Sequence, residues 1–118
     1  MKLAKFFLPA LLAISAFAAD FNGRWTASFD TQIGQQNYTY DLKAEGSKLT
    51  GKATSQNGET EILEGKVDGD KITFVENLVY QGMTIRIEYS GKISGDEIQF
   101  TRKVADFATE ELTAKRAK

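Results

Sequence analysis

The chain has 118 residues with 15 basic and 16 acidic side chains, a formal net charge of −1, and it contains neither histidine nor cysteine. That length suits one small domain. The missing residue types exclude Ser-His and Cys-His catalysis, disulfides and the usual zinc sites, and the near-neutral charge gives no electrostatic basis for binding nucleic acid or an anionic membrane.

The first 18 residues have the composition of a secretory signal peptide. Lys2 and Lys5 form a positive amino-terminal region, an apolar core follows at 6–14, and Ala16-Phe17-Ala18 provides the small residues of a cleavage site. The apolar run is shorter than the about 20 residues needed to span a membrane. We therefore predict cleavage, no membrane anchor, and a secreted or periplasmic domain at 19–118 with 13 basic and 16 acidic residues.

Alternating apolar and polar residues predict short, half-buried β-strands along the mature chain. The clearest alternation lies at 83–89, where Met83 and every second residue after it are expected to face inward. The predicted strands lie at 23–30, 38–44, 49–54, 60–67, 71–76, 83–93 and 97–103. The polar stretch at 30–37 and the connection at 77–82, which contains Leu78, Val79 and Tyr80, are predicted to be the longest loops. Gly51 is predicted to mark a bulge or kink.

The strand at 60–67 has an ambiguous pattern. Ile62 points to one face, whereas Leu63 and Val67 point to the other. A regular strand can bury only one of these two sets. The pattern therefore leaves open which set faces the core.

The carboxyl-terminal segment at 106–118 can be interpreted in two ways. Its residue types have high helix propensity, but residues 112–116 also alternate like a strand. We favour a short helical or irregular piece near 104–108 followed by a closing strand at 110–117. A short C-terminal helix packed on the barrel is the alternative.

One hairpin pattern, an apolar residue on each side of a polar-Gly-polar turn, occurs three times, with turns at 45–47, 68–70 and 94–96. The fold class is thus all-β, with about eight antiparallel strands in sequential hairpins. An open meander of this size would expose two long edges, and closure into an up-and-down barrel removes both. Such a barrel is either packed solid or holds one small ligand. A two-sheet sandwich is the alternative fold.

Gly23-Arg24-Trp25 on the first strand resembles the Gly-x-Trp signature of the calycins, the lipocalin, avidin and fatty-acid-binding group of meander barrels. In that group a basic residue of the last strand packs over the tryptophan ring. The resemblance implies that Arg116 makes this cation–π contact with Trp25, as a structural cap on the barrel. The length is nearer to that of an avidin than of a lipocalin, but a single tryptophan cannot form the aromatic cage of a biotin site.

A second resemblance covers 21–116. The chain looks like a small secreted bacterial β domain that occurs alone or attached to esterases and xylanase-type glycoside hydrolases. The residues that carry the likeness lie at 29–34, 91–98 and 106–111. The resemblance implies an association with the breakdown of plant polysaccharides, without implying catalysis by this domain.

Tyr38, Tyr40, Tyr80 and Tyr89 are predicted ligand-binding residues, because tyrosine offers a flat apolar face and a hydroxyl group to sugars and small amphipathic molecules. Packing in the core is the alternative role, above all for Tyr89, which shares its face with apolar strand residues. Tyr80 lies in the predicted loop at 77–82 and is expected to be the most exposed.

Arg102 is a further candidate, because it falls on the face of Ile98 and Phe100, which is expected to be apolar. A charged side chain in a core requires a partner. Arg102 is therefore either an anchor for an anion inside the barrel or a residue beyond its rim.

Glycoside hydrolases need two carboxylates, about 5–5.5 Å apart for retention and about 6.5–9.5 Å apart for inversion. Glu61, Glu64, Glu76 and Glu88 lie on predicted strands. Nearby basic residues favour solvated cross-strand ion pairs for all four. We therefore predict no catalytic residue.

Asp68-Gly69-Asp70 resembles the start of a calcium-binding loop. A tight hairpin supplies too few oxygen ligands for calcium, and turn geometry explains these residues without a metal. No metal site and no cofactor are predicted.

We therefore expect a binding or accessory module for a small molecule or carbohydrate. The alternatives are a carboxylate-based glycoside hydrolase and a barrel that binds or inhibits another protein through its loops. An apolar cavity would favour ligand binding, a pocket with two carboxylates would favour the hydrolase, and a filled barrel would favour the interaction protein.

Overall fold

The computed structural model describes residues 20–117, so the predicted signal peptide at 1–18 lies outside the described residues. They form nine strands: β1 (Gly23–Thr31), β2 (Gly34–Glu45), β3 (Lys48–Ser55), β4 (Gly58–Glu61), β5 (Leu63–Asp68), β6 (Lys71–Tyr80), β7 (Met83–Ser94), β8 (Glu97–Val104) and β9 (Ala108–Arg116). All pairings are antiparallel, and β2 pairs with both β1 and β3, which closes the sheet into a barrel. The prediction of an all-β antiparallel barrel of about eight strands is confirmed.

One side of the barrel, formed by β4 and β5 together, is interrupted at Ile62. Both strands pair with β3, and the register between β5 and β6 shifts between Leu63 and Lys66. Glu64 has a φ of 52°, a left-handed conformation typical of such irregularities. The extra residue reverses the alternation, so that Ile62 and Val67 both reach the core despite their odd spacing. The ambiguous pattern at 60–67 is thereby explained.

Gly51, on β3 opposite this interruption, brings two backbones unusually close. Its φ is +147°, and a Cβ atom there would lie 1.8 Å from the carbonyl oxygen of Asp41. Its own carbonyl oxygen accepts a hydrogen bond of 2.9 Å from the amide of Ile62. Only glycine permits this approach. The pairing of β2 with β3 continues through Gly51 without a shift in register.

The prediction of long loops at 30–37 and 77–82 is wrong. The turn between β1 and β2 contains only Gln32 and Ile33, and the turn between β6 and β7 contains only Gln81 and Gly82. Both residues of the second turn have positive φ, 52° and 79°, as in the two-residue turns that suit twisted hairpins. The strands continue into these segments, but the apolar alternation is lost there, because the buried position in β2 is the polar Gln36 and an outward position in β6 is the apolar Val79.

The carboxyl-terminal alternative of a helix is also wrong, and the predicted closing strand is confirmed. A turn at 105–107 leads into β9, which pairs with β8 and β1. Leu112 and Ala114 of β9 are buried in the core. Hydrogen bonding to two neighbouring strands and this burial outweigh the high helix propensity of the residue types in the segment.

One end of the barrel is sealed by Trp25 and Arg116. The indole Nε1 of Trp25 donates a 2.9 Å hydrogen bond to the carbonyl of Phe21. The guanidinium carbon of Arg116 lies 4.3 Å from the centroid of the tryptophan ring, and its nitrogens donate to the carbonyls of Asp20 and Asn22. Together these contacts hold residues 20–22 across the closed end.

The middle of the barrel is packed solid by aromatic rings. Phe74 and Tyr89 stack with their centroids 4.4 Å apart. Tyr40 and Phe100 pack against them with centroid distances of 5.5–6.1 Å. All four side chains are buried, so any space for a ligand lies beyond this plug.

Gly91 makes room for this plug. A Cβ atom at this position would lie 2.6 Å from two ring carbons of Phe100 and 2.8 Å from a methyl group of Ile98. We expect Gly91→Ala to lower the free energy of unfolding by about 1–3 kcal/mol, because buried neighbours cannot move aside freely. Urea unfolding would measure this, with the exposed neighbour Ser90→Ala as control. Equal midpoints for the two variants would contradict solid packing.

Candidate functional site

The open end of the barrel, opposite the Trp25 cap, contains a cavity of about 80 Å³. That is about half of the ~150 Å³ in which a benzene ring binds, so the cavity accommodates a group of a few heavy atoms. Its walls come from the ends of β1, β2, β6, β7, β8 and β9 and from two of the turns. The lining residues are Thr31, Gln32, Ile33, Gln36, Leu78, Tyr80, Ile85, Ile87, Arg102, Val104, Phe107, Ala108 and Glu110.

Four exposed apolar side chains, those of Ile33, Val79, Met83 and Phe107, lie at this end, and those of Ile33 and Phe107 line the cavity. These are the large apolar side chains that are exposed within residues 20–117, and all lie in or beside the turns at the open end. Scattered exposed apolar residues need no explanation, but a cluster beside a cavity is typical of a binding surface. Met83, predicted to face inward, is 57% exposed because its strand begins beyond the core.

Arg102 lies inside the barrel, at the floor of the cavity, and is only 3% exposed. Its Nε donates to the hydroxyl of Tyr89 at 2.8 Å, and Nη2 donates to that of Tyr38 at 3.1 Å. Its Nη1 donates to Oε1 of Glu110 at 2.6 Å, which forms a nearly buried ion pair. The alternative prediction, that Arg102 lies beyond the rim of the barrel, is therefore wrong. Its side chain lies on the inward face of β8 with those of Ile98 and Phe100.

Glu76 is the buried carboxylate of this region, with 1% exposure. Its Oε2 accepts hydrogen bonds from Tyr38 at 2.9 Å and from Thr60 at 3.0 Å, and its Oε1 accepts one from Tyr89 at 2.9 Å. The expectation that Glu76 forms a solvated ion pair is wrong. Its position on the face of Phe74 was the available indication, because residues two apart on a strand share a face.

Two tyrosine hydroxyls connect Glu76 to Arg102. Tyr38 and Tyr89 each accept a hydrogen bond from the guanidinium and donate one to the carboxylate. The hydroxyls of Tyr40 and Tyr89 lie 3.0 Å apart. Because Tyr89 gives its proton to Glu76, Tyr40 must be the donor in that contact. Every buried polar atom in the described side chains has a partner.

Burial fixes the charges in this network. It raises the pKa of Tyr38, Tyr40 and Tyr89 above the ordinary value, so all three phenols are neutral donors near pH 7. Burial opposes the charge of Arg102, but Tyr89, Tyr38 and Glu110 together raise its pKa above the ordinary value. The guanidinium is therefore always charged.

The structure does not bring the four predicted glutamates together. Glu64 and Glu88 lie outside the barrel, where both pair with Arg86 at 2.8 and 3.3 Å, and Glu61 is exposed on β4. The carboxylate that lines the cavity is Glu110, and Arg102 already binds it. The cavity lacks the two free carboxylates that glycoside hydrolysis requires.

The predicted ligand-binding residues divide into two groups. Arg102 and Tyr80 line the cavity, although Tyr80 lies at the end of β6 rather than in a loop. Tyr38, Tyr40 and Tyr89 are buried deeper in the barrel, where no ring face meets solvent. Gln36 and Glu110 line the cavity but were not predicted; both stand where the apolar alternation of their strands fades.

Within residues 20–117 no group of three acidic side chains could hold a metal ion, and no helix is long and apolar enough to cross a membrane. No protein-family model, no curated protein sequence and no solved structure matches the chain.

Proposed function

We propose that this chain is an exported binding module whose open end takes one end of a small amphipathic molecule. The observation that carries the proposal is a mostly apolar cavity with a buried arginine at its floor and exposed apolar side chains at its mouth. Apolar walls with a few fixed polar groups are typical of small-molecule sites. Export rests on the predicted signal peptide, and the calycin resemblance agrees with a ligand-binding barrel.

Arg102 and Gln36 can donate hydrogen bonds to a ligand in the cavity. A guanidinium has five N–H groups, and those of Arg102 make three hydrogen bonds to described residues. The Oε1 of Gln36 accepts from Asn57 at 3.0 Å, while its Nε2 has no acceptor among residues 20–117. A ligand acceptor placed at the floor would use these remaining donors.

The cavity favours a small molecule over a sugar chain. Sugar sites usually offer open aromatic faces, and three of the four tyrosines are buried. A space of about 80 Å³ accommodates only the tip of a ligand. The remainder would leave past Ile33 and Phe107, which are both lining and exposed residues.

Binding can be tested by nuclear magnetic resonance on the protein labelled with ¹⁵N. Octan-1-ol, octanoate, octylammonium and xylotriose would each be titrated, and the Nε–H signal of Arg102 and the side-chain amide of Gln36 would be followed. We expect at least one of the three octyl compounds to shift these signals.

Ile85→Trp, which fills the cavity, is expected to weaken that binding at least about tenfold. Thr84→Trp, on the exposed outer face, is the matched control and should bind normally. The proposal fails if none of the three octyl compounds shifts the two signals, or if the cavity-filling variant binds as well as the control.

A further inference from the structure

We infer that the cavity selects an electrically neutral ligand, one that presents an uncharged hydrogen-bond acceptor such as a hydroxyl, ether, ketone or ester oxygen to Arg102 and Gln36. This inference rests on the proposed binding function and specifies its ligand class. It follows from the charges around the cavity floor, which are already balanced before any ligand arrives.

The charges are balanced by the ion pair of Arg102 with Glu110. Both residues line the cavity, and the nitrogen and oxygen atoms are 2.6 Å apart. The two side chains are 3% and 12% exposed, so water screens the pair weakly. Glu110 thus occupies the position on the guanidinium that an anionic ligand would otherwise take.

The remaining nitrogens of Arg102 are held in a similar way by two tyrosine hydroxyls. Nε donates to Tyr89 and Nη2 donates to Tyr38. Both hydroxyls in turn donate to the buried carboxylate of Glu76, which lies behind the floor of the cavity. The guanidinium is therefore fixed by three partners before any ligand enters.

The lining of the cavity therefore holds one guanidinium and one carboxylate, which already neutralise each other. A carboxylate ligand would compete with Glu110 for the guanidinium and bring a second negative charge close to Glu110, where the low dielectric makes repulsion strong. A cationic ligand would meet the N–H groups of Arg102, which cannot accept a hydrogen bond from it. A neutral acceptor receives these N–H groups without either conflict.

The octyl series decides between the classes, because the three compounds share one tail and differ in the charge of the head group. We expect octan-1-ol to shift the Arg102 and Gln36 signals and to bind at least about tenfold more tightly than octanoate or octylammonium near pH 7. Glu110→Gln removes one negative charge from the floor and is expected to raise the affinity for octanoate. Glu111→Gln is the matched control, since the same charge is removed from an exposed neighbour on β9.

The results separate this inference from the proposed function. If octanoate or octylammonium binds as tightly as octan-1-ol, the charge argument is overturned while the cavity remains a binding site. If none of the three binds, both are overturned. Comparing Glu110→Gln with Glu111→Gln adds a test inside the site. If both variants bind octanoate more tightly by the same factor, the gain comes from the net charge of the protein, and the inference is contradicted.

Discussion

Replacing Arg102 by methionine is expected to lower the free energy of unfolding by about 3–5 kcal/mol, one of the two largest effects in this molecule. The substitution keeps much of the apolar stem but removes every N–H donor. Glu110 then loses its partner at 2.6 Å, and Tyr38 and Tyr89 lose the donors that hold their hydroxyls toward Glu76. Chemical denaturation monitored by circular dichroism would measure the change.

The matched control is Arg24→Met, because Arg24 pairs with Asp41 at the same kind of distance, 2.8 Å, but on the exposed surface. Exposed pairs contribute little, so this variant should unfold close to the unmodified protein. Adding Glu110→Leu to Arg102→Met should recover part of the loss, since it removes the carboxylate left without a partner. A loss for Arg102→Met no larger than for Arg24→Met would contradict the buried network.

The second large effect is a loss of stability at alkaline pH. Burial raises the pKa of Tyr38, Tyr40 and Tyr89 in the folded barrel, whereas in the unfolded chain each phenol titrates near pH 10. Above about pH 10 the unfolded chain therefore releases protons that the folded chain retains. The free energy of unfolding should fall as pH rises, with a slope of up to about 4 kcal/mol per pH unit for three phenols, and the stabilisation is fully present below pH 10.

Tyr40→Phe provides the control for this pH dependence. The Tyr40 hydroxyl only donates to Tyr89, so its removal leaves no buried carboxylate without a donor. The variant should reduce the alkaline slope by about one third. Urea unfolding over a pH series would give both slopes, and tyrosinate absorbance should appear together with the loss of the β-sheet spectrum. Phenol ionisation in a barrel that stays folded would contradict the expectation.

The scaffold could be predicted well from local sequence patterns, because the alternation of apolar and polar residues within each strand indicates which side chains are buried. Trp25, Ala27 and Phe29 alternate along β1, and the polar-Gly-polar turns mark three hairpins, so the barrel could be predicted from short-range signals. Turn lengths at the open end could not be predicted in this way. There a buried position is filled by the polar Gln36 and an exposed position by the apolar Val79, so a strand end has the composition of a loop.

The candidate site depends on contacts between residues of different strands, which no single segment of the sequence can predict. Glu76 stands on the inward face of β6, but a carboxylate is expected inside only when its partners are known. Those partners, Tyr38, Thr60 and Tyr89, come from β2, β4 and β7, far apart in the chain. The cavity also depends on residues far apart in the chain. It is the space between the aromatic plug and the ends of the strands, which extend beyond the plug.

The interruption at Ile62 gives the barrel a partly open seam. β6 pairs with β5 only as far as Val75. Residues 76–80 of β6 therefore pair with β7 alone among the strands that the structure describes. β4 likewise pairs only with β3. Closure of the barrel therefore leaves two short backbone edges that could add a strand from another molecule. β4 has only four residues, and two of them are the exposed Glu59 and Glu61, which are features that natural proteins use to discourage such pairing and the aggregation that follows from it.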